Sequence, residues 1–209
     1  MQKVRRKMLK VRLPRPGDDF YMDGYPRSGN TFCLAYTRVA LPSARYAHHL
    51  HNLAPLKLAL SHNIPCVVLL RNPKDCIPSH AILKSHYKSG FTKDPDKLKV
   101  LIDNYITYYQ FVYENRQRVK LLPFEAVIDL SSLNAFYREN LNLRVDLNES
   151  QLKEIEKAYK ERQGNKPVER KNNPSEEKNI QKQSVYKMIV EIESFATASK
   201  IYQSLIQGH

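Results

Sequence analysis

Acidic residues are scarce in this chain. Asp and Glu number 21 against 34 Lys and Arg, so the formal net charge over 209 residues is +13. An excess of that size attracts polyanions: a nucleic acid, an anionic membrane surface or a multiply charged phosphate compound. Cysteine is scarce as well. Cys33, Cys66 and Cys76 form an odd set without metal-ligand spacing, which speaks against a disulfide scaffold or zinc site and fits a reducing compartment. Long apolar runs are missing, and no stretch approaches the ~18 residues that a membrane-spanning helix needs. The stretch from Met1 to Arg12 is basic but lacks the apolar core of a secretory signal. The expectation is a soluble, cytoplasmic protein. Residues 1–17 read as a basic tail and residues 18–209 as a single domain. An apolar fraction of 42% is enough for a core.

Short strands alternate with helices along the chain. Phe20 to Gly24 is aromatic and short, a first strand, and Gly29 to about Leu41 has helical spacing up to Pro42. A second strand is expected over Ala44 to His49 and a short helix from Leu53 to about Asn63. Pro65 to Leu70 is continuously apolar, as a strand covered on both faces of a parallel sheet should be. Asn72-Pro73-Lys74-Asp75 then supplies a cap, a first-turn proline and a first-turn carboxylate for a third helix. Pro78 predicts a local kink in that helix. A long helix is expected over Asp96 to Arg118, a strand over Val119 to Pro123 and a helix over Ser131 to Leu141. A further helix capped by Asn148 runs to about Gln163, and a terminal helix covers Ser184 to Ile206. Gly164 to Lys178 lacks periodicity and reads as a mobile loop. The pattern predicts an α/β fold: a three-layer, P-loop-like domain with a central parallel sheet.

The strand-turn-helix at Gly24 to Thr31 is built to trap an anion. Glycine lets backbone N–H groups point inward, and a helix N-terminus adds positive potential. Gly24-x-x-x-x-Gly29-Asn30-Thr31 nearly matches the nucleotide-binding pattern G-x-x-x-x-G-K-[ST]. Asn30 stands where the phosphate-gripping lysine belongs, and Arg27 sits inside the loop. Where a magnesium-dependent enzyme would carry an acidic ligand at the end of a neighbouring strand, this chain carries Arg71. Arginine cannot hold a metal, but its planar fork grips phosphate.

Tyr25-Pro26-Arg27-Ser28-Gly29-Asn30-Thr31-Phe32 resembles the 5′-phosphosulfate loop of sulfotransferases that use 3′-phosphoadenosine 5′-phosphosulfate (PAPS). Arg71-Asn72-Pro73-Lys74-Asp75-x-x-x-Ser79 resembles the 3′-phosphate motif of the same family. The resemblance covers Tyr21 to about Glu125. It implies PAPS as donor, adenosine 3′,5′-bisphosphate as product and no required metal. Ser28, Gly29, Asn30 and Thr31 would bind the 5′ group, Phe32 would stack on adenine, and Arg71 and Ser79 would bind the 3′ phosphate. Arg27 would bind the donor and stabilise charge on the departing phosphate. Arg170-Lys171 would correspond to a later 3′-phosphate contact, although Asn172 replaces the family's glycine there.

A base is also needed for the acceptor hydroxyl or amine, and histidine suits that near neutral pH. Among His48, His49 and His51, distance from Arg71 favours His49. No acidic or cysteine partner accompanies the three, so no metal is expected. Tyr105, Tyr108, Tyr109 and Tyr113 read as helix packing, and Glu125 as structural. The positive charge is compatible with a saccharide or lipid-headgroup acceptor and selects neither. Two other classes compete. A P-loop nucleotide or small-molecule kinase explains the loop but neither Asn30 nor the Arg71/Ser79 pair. A nucleic-acid-binding module explains the charge but not two ordered phosphate motifs, so no specific nucleic acid is expected.

Overall fold

Four short strands, β1 (Phe20–Gly24), β2 (Tyr46–His48), β3 (Cys66–Leu70) and β4 (Val119–Pro123), pair in the order β2-β1-β3-β4, and every pairing is parallel. The structure is a computed structural model, and it describes residues 12–88, 90–143, 145, 147–163 and 176–208. Every residue of β1 and of β3 is buried. That is why Cys66–Leu70 reads as an unbroken apolar run: helices cover both faces of the sheet.

The side-chain alternation of the strands divides the core in two. Phe20, Met22, Val67, Leu69 and Leu122 point to one face, where they meet α1 (Asn30–Ala40), α5 (Phe124–Ile128), α6 (Leu130–Leu141) and α7 (Glu149–Gln163). Tyr21, Cys66, Val68, Leu70, Val119 and Leu121 point to the other. There they meet α2 (Leu53–Ser61), α3 (Pro73–Ser85), α4 (Pro95–Glu114), α8 (Glu176–Ile189) and α9 (Ser194–Gln207). The chain steps from β1 to one side and then crosses to the other. The switch point therefore lies between β1 and β3, where open α/β sheets place their ligand crevice.

Local chemistry explains most helix starts. Asn72 caps α3 by accepting from the Lys74 N–H at 3.1 Å, with Pro73 in the first turn, as its sequence predicts. Asn148 and Gln151 cap α7 reciprocally, at 2.9 and 3.0 Å. Three expectations are corrected. The long helix ends at Glu114 and closes in a 3-10 turn over Arg116–Arg118. The terminal helix is two helices, α8 and α9, broken at residues 190–193 so that Ile189 and Phe195 both reach the core. Residues 176–178, expected in a loop, form the first turn of α8. The remainder of that loop lies outside the described residues, as does most of the basic tail. Pro78 sits inside α3, which continues to Ser85.

One glycine fixes the sheet's central spacing. A Cβ on Gly24 would lie 2.5 Å from the Leu69 carbonyl oxygen and 2.9 Å from its Cβ. Relief requires movement of the neighbouring strand's backbone. Gly24→Ala should therefore cost about 1–3 kcal/mol of stability, the usual range for overpacking. Urea unfolding of the two proteins measures the difference, and a loss below about 0.5 kcal/mol, the scale of a surface change, would mean that β1 and β3 separate freely.

Candidate functional site

The carboxyl ends of β1 and β3 open into a cavity of about 1170 Å³. Its volume exceeds the roughly 300–1,000 Å³ of a typical small-ligand pocket. The loop after β1 is its floor. Arg27 adopts φ 75° and Gly29 φ 93°, two left-handed residues that turn the chain into α1. Gly29 has little room for a side chain, since a Cβ there would approach Val127 Cγ1 to 2.9 Å. Gly29 also occupies the cap position of α1, which has no side-chain cap and no acidic residue in its first turn. By contrast Asn52, Asn72, Asp94 and Asp129 cap α2, α3, α4 and α6. The start of α1 thus turns its outward N–H groups and positive dipole end toward the cavity.

Cations gather over this floor. Arg71 donates from Nη1 to the Arg27 carbonyl at 2.7 Å and stacks its guanidinium 3.8 Å from the centre of the Phe124 ring. Arg27 donates from Nε to Ser79 Oγ at 2.9 Å. Lys178 and Lys182, one turn apart on α8, complete the wall. Burial and the Arg71 charge push the Arg27 guanidinium below its ordinary pKa. Burial, Arg71 and Arg27 do the same to the Lys182 ammonium. No carboxylate lines the cavity among the described residues. Like charges held this close in a wall without acids have the chemistry to attract a multivalent anion.

Three tyrosine hydroxyls of the buried core brace the loops. Tyr105 donates to the Arg71 carbonyl at 2.9 Å, Tyr109 to the Leu69 carbonyl at 2.6 Å and Tyr25 to the Leu101 carbonyl at 3.0 Å. Tyr105 and Tyr109 are thus packing residues, as expected, while Tyr108 lies on the cavity wall. Asn30 turns its amide back onto the Tyr25 carbonyl at 3.3 Å, holding the loop where a lysine would grip phosphate.

Of the residues singled out from sequence, Arg27, Gly29, Asn30, Thr31, Phe32, His49, Arg71 and Ser79 come together on this one cavity. Ser28 is fully buried and is not part of its wall. Arg170 and Lys171 lie outside the described residues. Residues that sequence reasoning passed over also line it: His80, Tyr159, Lys178 and Lys182. Tyr159 meets Phe32 edge to face at 5.5 Å. The four-residue spacing of Lys178 and Lys182 is the legible signal for the last pair, but half of it falls in a stretch that reads as loop. His80 is held at Nδ1 by the Tyr25 hydroxyl, 3.1 Å away, and burial drives its pKa down to about 3, so it stays neutral. No group of three or more His, Cys, Asp or Glu side chains among the described residues is arranged to hold a metal ion, and no described helix is long and apolar enough to cross a membrane.

Below the histidines lies a buried carboxylate. Asp23 Oδ1 stands 3.0 Å from His51 Nδ1. The hydrogen bonds from His51 and from backbone N–H groups hold the Asp23 carboxyl below its ordinary value of 3.8 despite burial, which acts the other way. The same partner raises His51 above 6.5, again against burial. A depressed carboxylate contributes stability above its unfolded pKa and loses it as pH falls through the folded value. A raised histidine contributes below its unfolded pKa and loses it as pH rises through the folded value. Both contributions are complete between pH 3.8 and 6.5. The stability lost in His51→Gln should therefore be larger at about pH 5.5 than at about pH 8.5, measured by urea unfolding; an equal loss at both values would rule out an ionic contribution.

Neither a family model nor a curated protein sequence matches this chain. Among solved structures, the chain is similar to mouse sulfotransferase SULT7A1 complexed with PAP, with a TM-score of 0.56 at 15% identity, over 94% of this chain and 91% of that one. At that identity the likeness is one of fold: this chain has the α/β, P-loop-like fold of a sulfotransferase, with a parallel sheet between two helical layers.

Proposed function

We propose that the protein is a sulfotransferase that moves a sulfonate group from PAPS to an acceptor hydroxyl or amine. The observation that carries this reading is the anion cradle itself. The N-terminus of α1, without a side-chain cap, shares with Arg27, Arg71 and Lys182 a cavity that no carboxylate lines among the described residues. The cradle has two parts, which suits a nucleotide phosphorylated at two places. The turn at Gly29, Asn30 and Thr31 offers backbone donors to a 5′ group, while Arg71 and Ser79 on the β3 side offer donors to a 3′ phosphate. Phe32 and Tyr159 form the aromatic corner for adenine.

Arg27 lies between the two parts. Already depressed by burial and by Arg71, its guanidinium gains most when negative charge develops beside it, as on the phosphate that releases a sulfonate. The fold likeness to a PAP-bound sulfotransferase supports the donor assignment. The kinase reading is not favoured, because Arg71 occupies the strand end where a metal-binding carboxylate would belong and Asn30 is turned back onto its own loop.

Adenosine 3′,5′-bisphosphate should stabilise the protein without magnesium. At about 100 times its dissociation constant the gain is about 2.7 kcal/mol, or roughly 5–10 °C in Tm for a chain of this size. AMP should do much less, because Arg71 and Ser79 lose their phosphate. Equal shifts from the two nucleotides would remove the second half of the cradle from the reading.

Lys178→Ala combined with Lys182→Ala should weaken bisphosphate binding by about 1.5–3 kcal/mol if either makes a charge-assisted bond. Calorimetric titration measures this, and an unchanged Kd would leave α8 outside the donor site. A donor-dependent sulfonation screen across glycans, lipids, phenols and peptides tests the reaction directly.

A further inference from the structure

The turn between β2 and α2 is unusual in two ways. His49 and His51 both have left-handed backbones, with φ 61° and 50°, although neither is glycine. Such residues are uncommon and are held in place by their surroundings. The holding group is Asp23, on β1, which has no exposed surface. Its Oδ2 accepts from the Leu50 N–H at 2.7 Å, the His51 N–H at 2.6 Å and the Tyr21 hydroxyl at 3.1 Å. Its Oδ1 accepts from the Gly24 N–H at 2.9 Å and faces His51 Nδ1 at 3.0 Å. One buried carboxylate thus ties the histidine turn to the strand end from which the phosphate loop departs.

The same contacts settle the state of one imidazole. His51 Nδ1 faces two acceptors, Asp23 Oδ1 and the Gly24 carbonyl at 2.9 Å. Nδ1 must therefore carry the proton, and in the neutral ring the lone pair is left on Nε2. The side chain is 29% exposed and lines the cavity. His48 is buried and does not line it. His49 lines it too, but the buried carboxylate stands behind the His51 ring.

We infer that Asp23 and His51 form the proton-accepting pair of this cavity: His51 Nε2 is the base, and Asp23 is its positioning residue. The inference rests on the sulfotransferase reading and replaces the residue favoured by sequence distance, His49, with one chosen by its hydrogen bonds. In the transfer step the acceptor oxygen bonds to the sulfonate sulfur. The sulfur–oxygen bond to the phosphate breaks with its electron pair on the phosphate oxygen, and the acceptor proton passes to His51 Nε2. The carboxylate behind Nδ1 stabilises the imidazolium that results. Titratable neighbours of His51 are Asp23 on β1 with Tyr21 beside it, His49 at 5.2 Å between rings, and neutral His80 on α3.

Two measurements on the full chain test the pair. Imidazole nitrogen NMR, with His51→Gln assigning the signals, should show the Nδ1–H tautomer for His51 and a pKa above 6.5. Asp23→Asn should lower that pKa by at least about one unit and move the alkaline rise of the pH–rate profile the same way. If Asp23→Asn does not fold, the wild-type tautomer and the second measurement decide. That measurement compares transfer rates, in which His51→Gln should lose at least ~100-fold in kcat, within the ~10²–10⁴ span of a missing base. Its bisphosphate Kd should stay within about twofold, and His49→Gln should lose less than about tenfold in kcat. An Nε2–H tautomer for His51, an unshifted pKa in Asp23→Asn, or a larger loss in His49→Gln overturns the inference. Failure of the wild type to bind bisphosphate or transfer sulfonate counts against the sulfotransferase reading instead, and the NMR result still decides the pair.

Discussion

The parallel contact between β1 and β3 is the constraint on which the site depends. Gly24 pairs with Leu69 in register, and only the missing side chain lets the two backbones meet at that level. Because the strands run the same way and end together, the loops after them start side by side. One brings Arg27 and the start of α1; the other brings Arg71 and the start of α3. A register shift of one residue would turn Tyr21 into the opposite layer and draw the loops apart. The tyrosines of α4 reinforce the arrangement through the Arg71 and Leu69 carbonyls. The hydrophobic core and the arginine-lined cavity thus share one set of strand ends.

Electrostatics in the cavity is held in a costly state. Arg27 is desolvated, sits close to Arg71 and donates to a serine hydroxyl. Folding brings these charges together through packing of α3, α4 and α8 against the sheet, where the burial of apolar surface outweighs the repulsion. An anion placed between these charges would relieve that repulsion. Asp23 is the opposite case. Its charge is fully buried but surrounded by donors, which is the condition under which a buried ion is tolerated. The cavity is consequently lined both by clustered positive charge and by His51, whose ring is backed by the compensated, buried Asp23 carboxylate.

Local chemistry in the sequence was enough for much of the fold and part of the site. The apolar run Cys66–Leu70 announced a strand covered on both faces, because no polar face is needed there. Asn72, Pro73 and Asp75 announced the start of α3, since capping acts within a single turn. Gly24, Gly29, Arg27 and Arg71 announced a tight turn into α1 with two arginines close to it, because a strand end, a glycine turn and a helix start are read at short, fixed spacing. The expected fold class is the observed one.

Tertiary structure alone decided what depends on distance between remote segments. Asp23 and His51 are far apart in the chain, and only the pairing of β1 with β2 brings the carboxylate under the histidine turn. Spacing could rank His48, His49 and His51 only by distance from Arg71, because neighbouring residues differ in role through what each ring touches. Lys178 and Lys182 reach the cavity because α8 packs on α3, a contact with no trace in local composition. The terminal helix broke in two because Ile189 and Phe195 must both reach the core, and a single straight helix does not present both. Motifs are local patterns and can be read locally. The hydrogen-bond partners that give a side chain its protonation state are supplied by the packed chain.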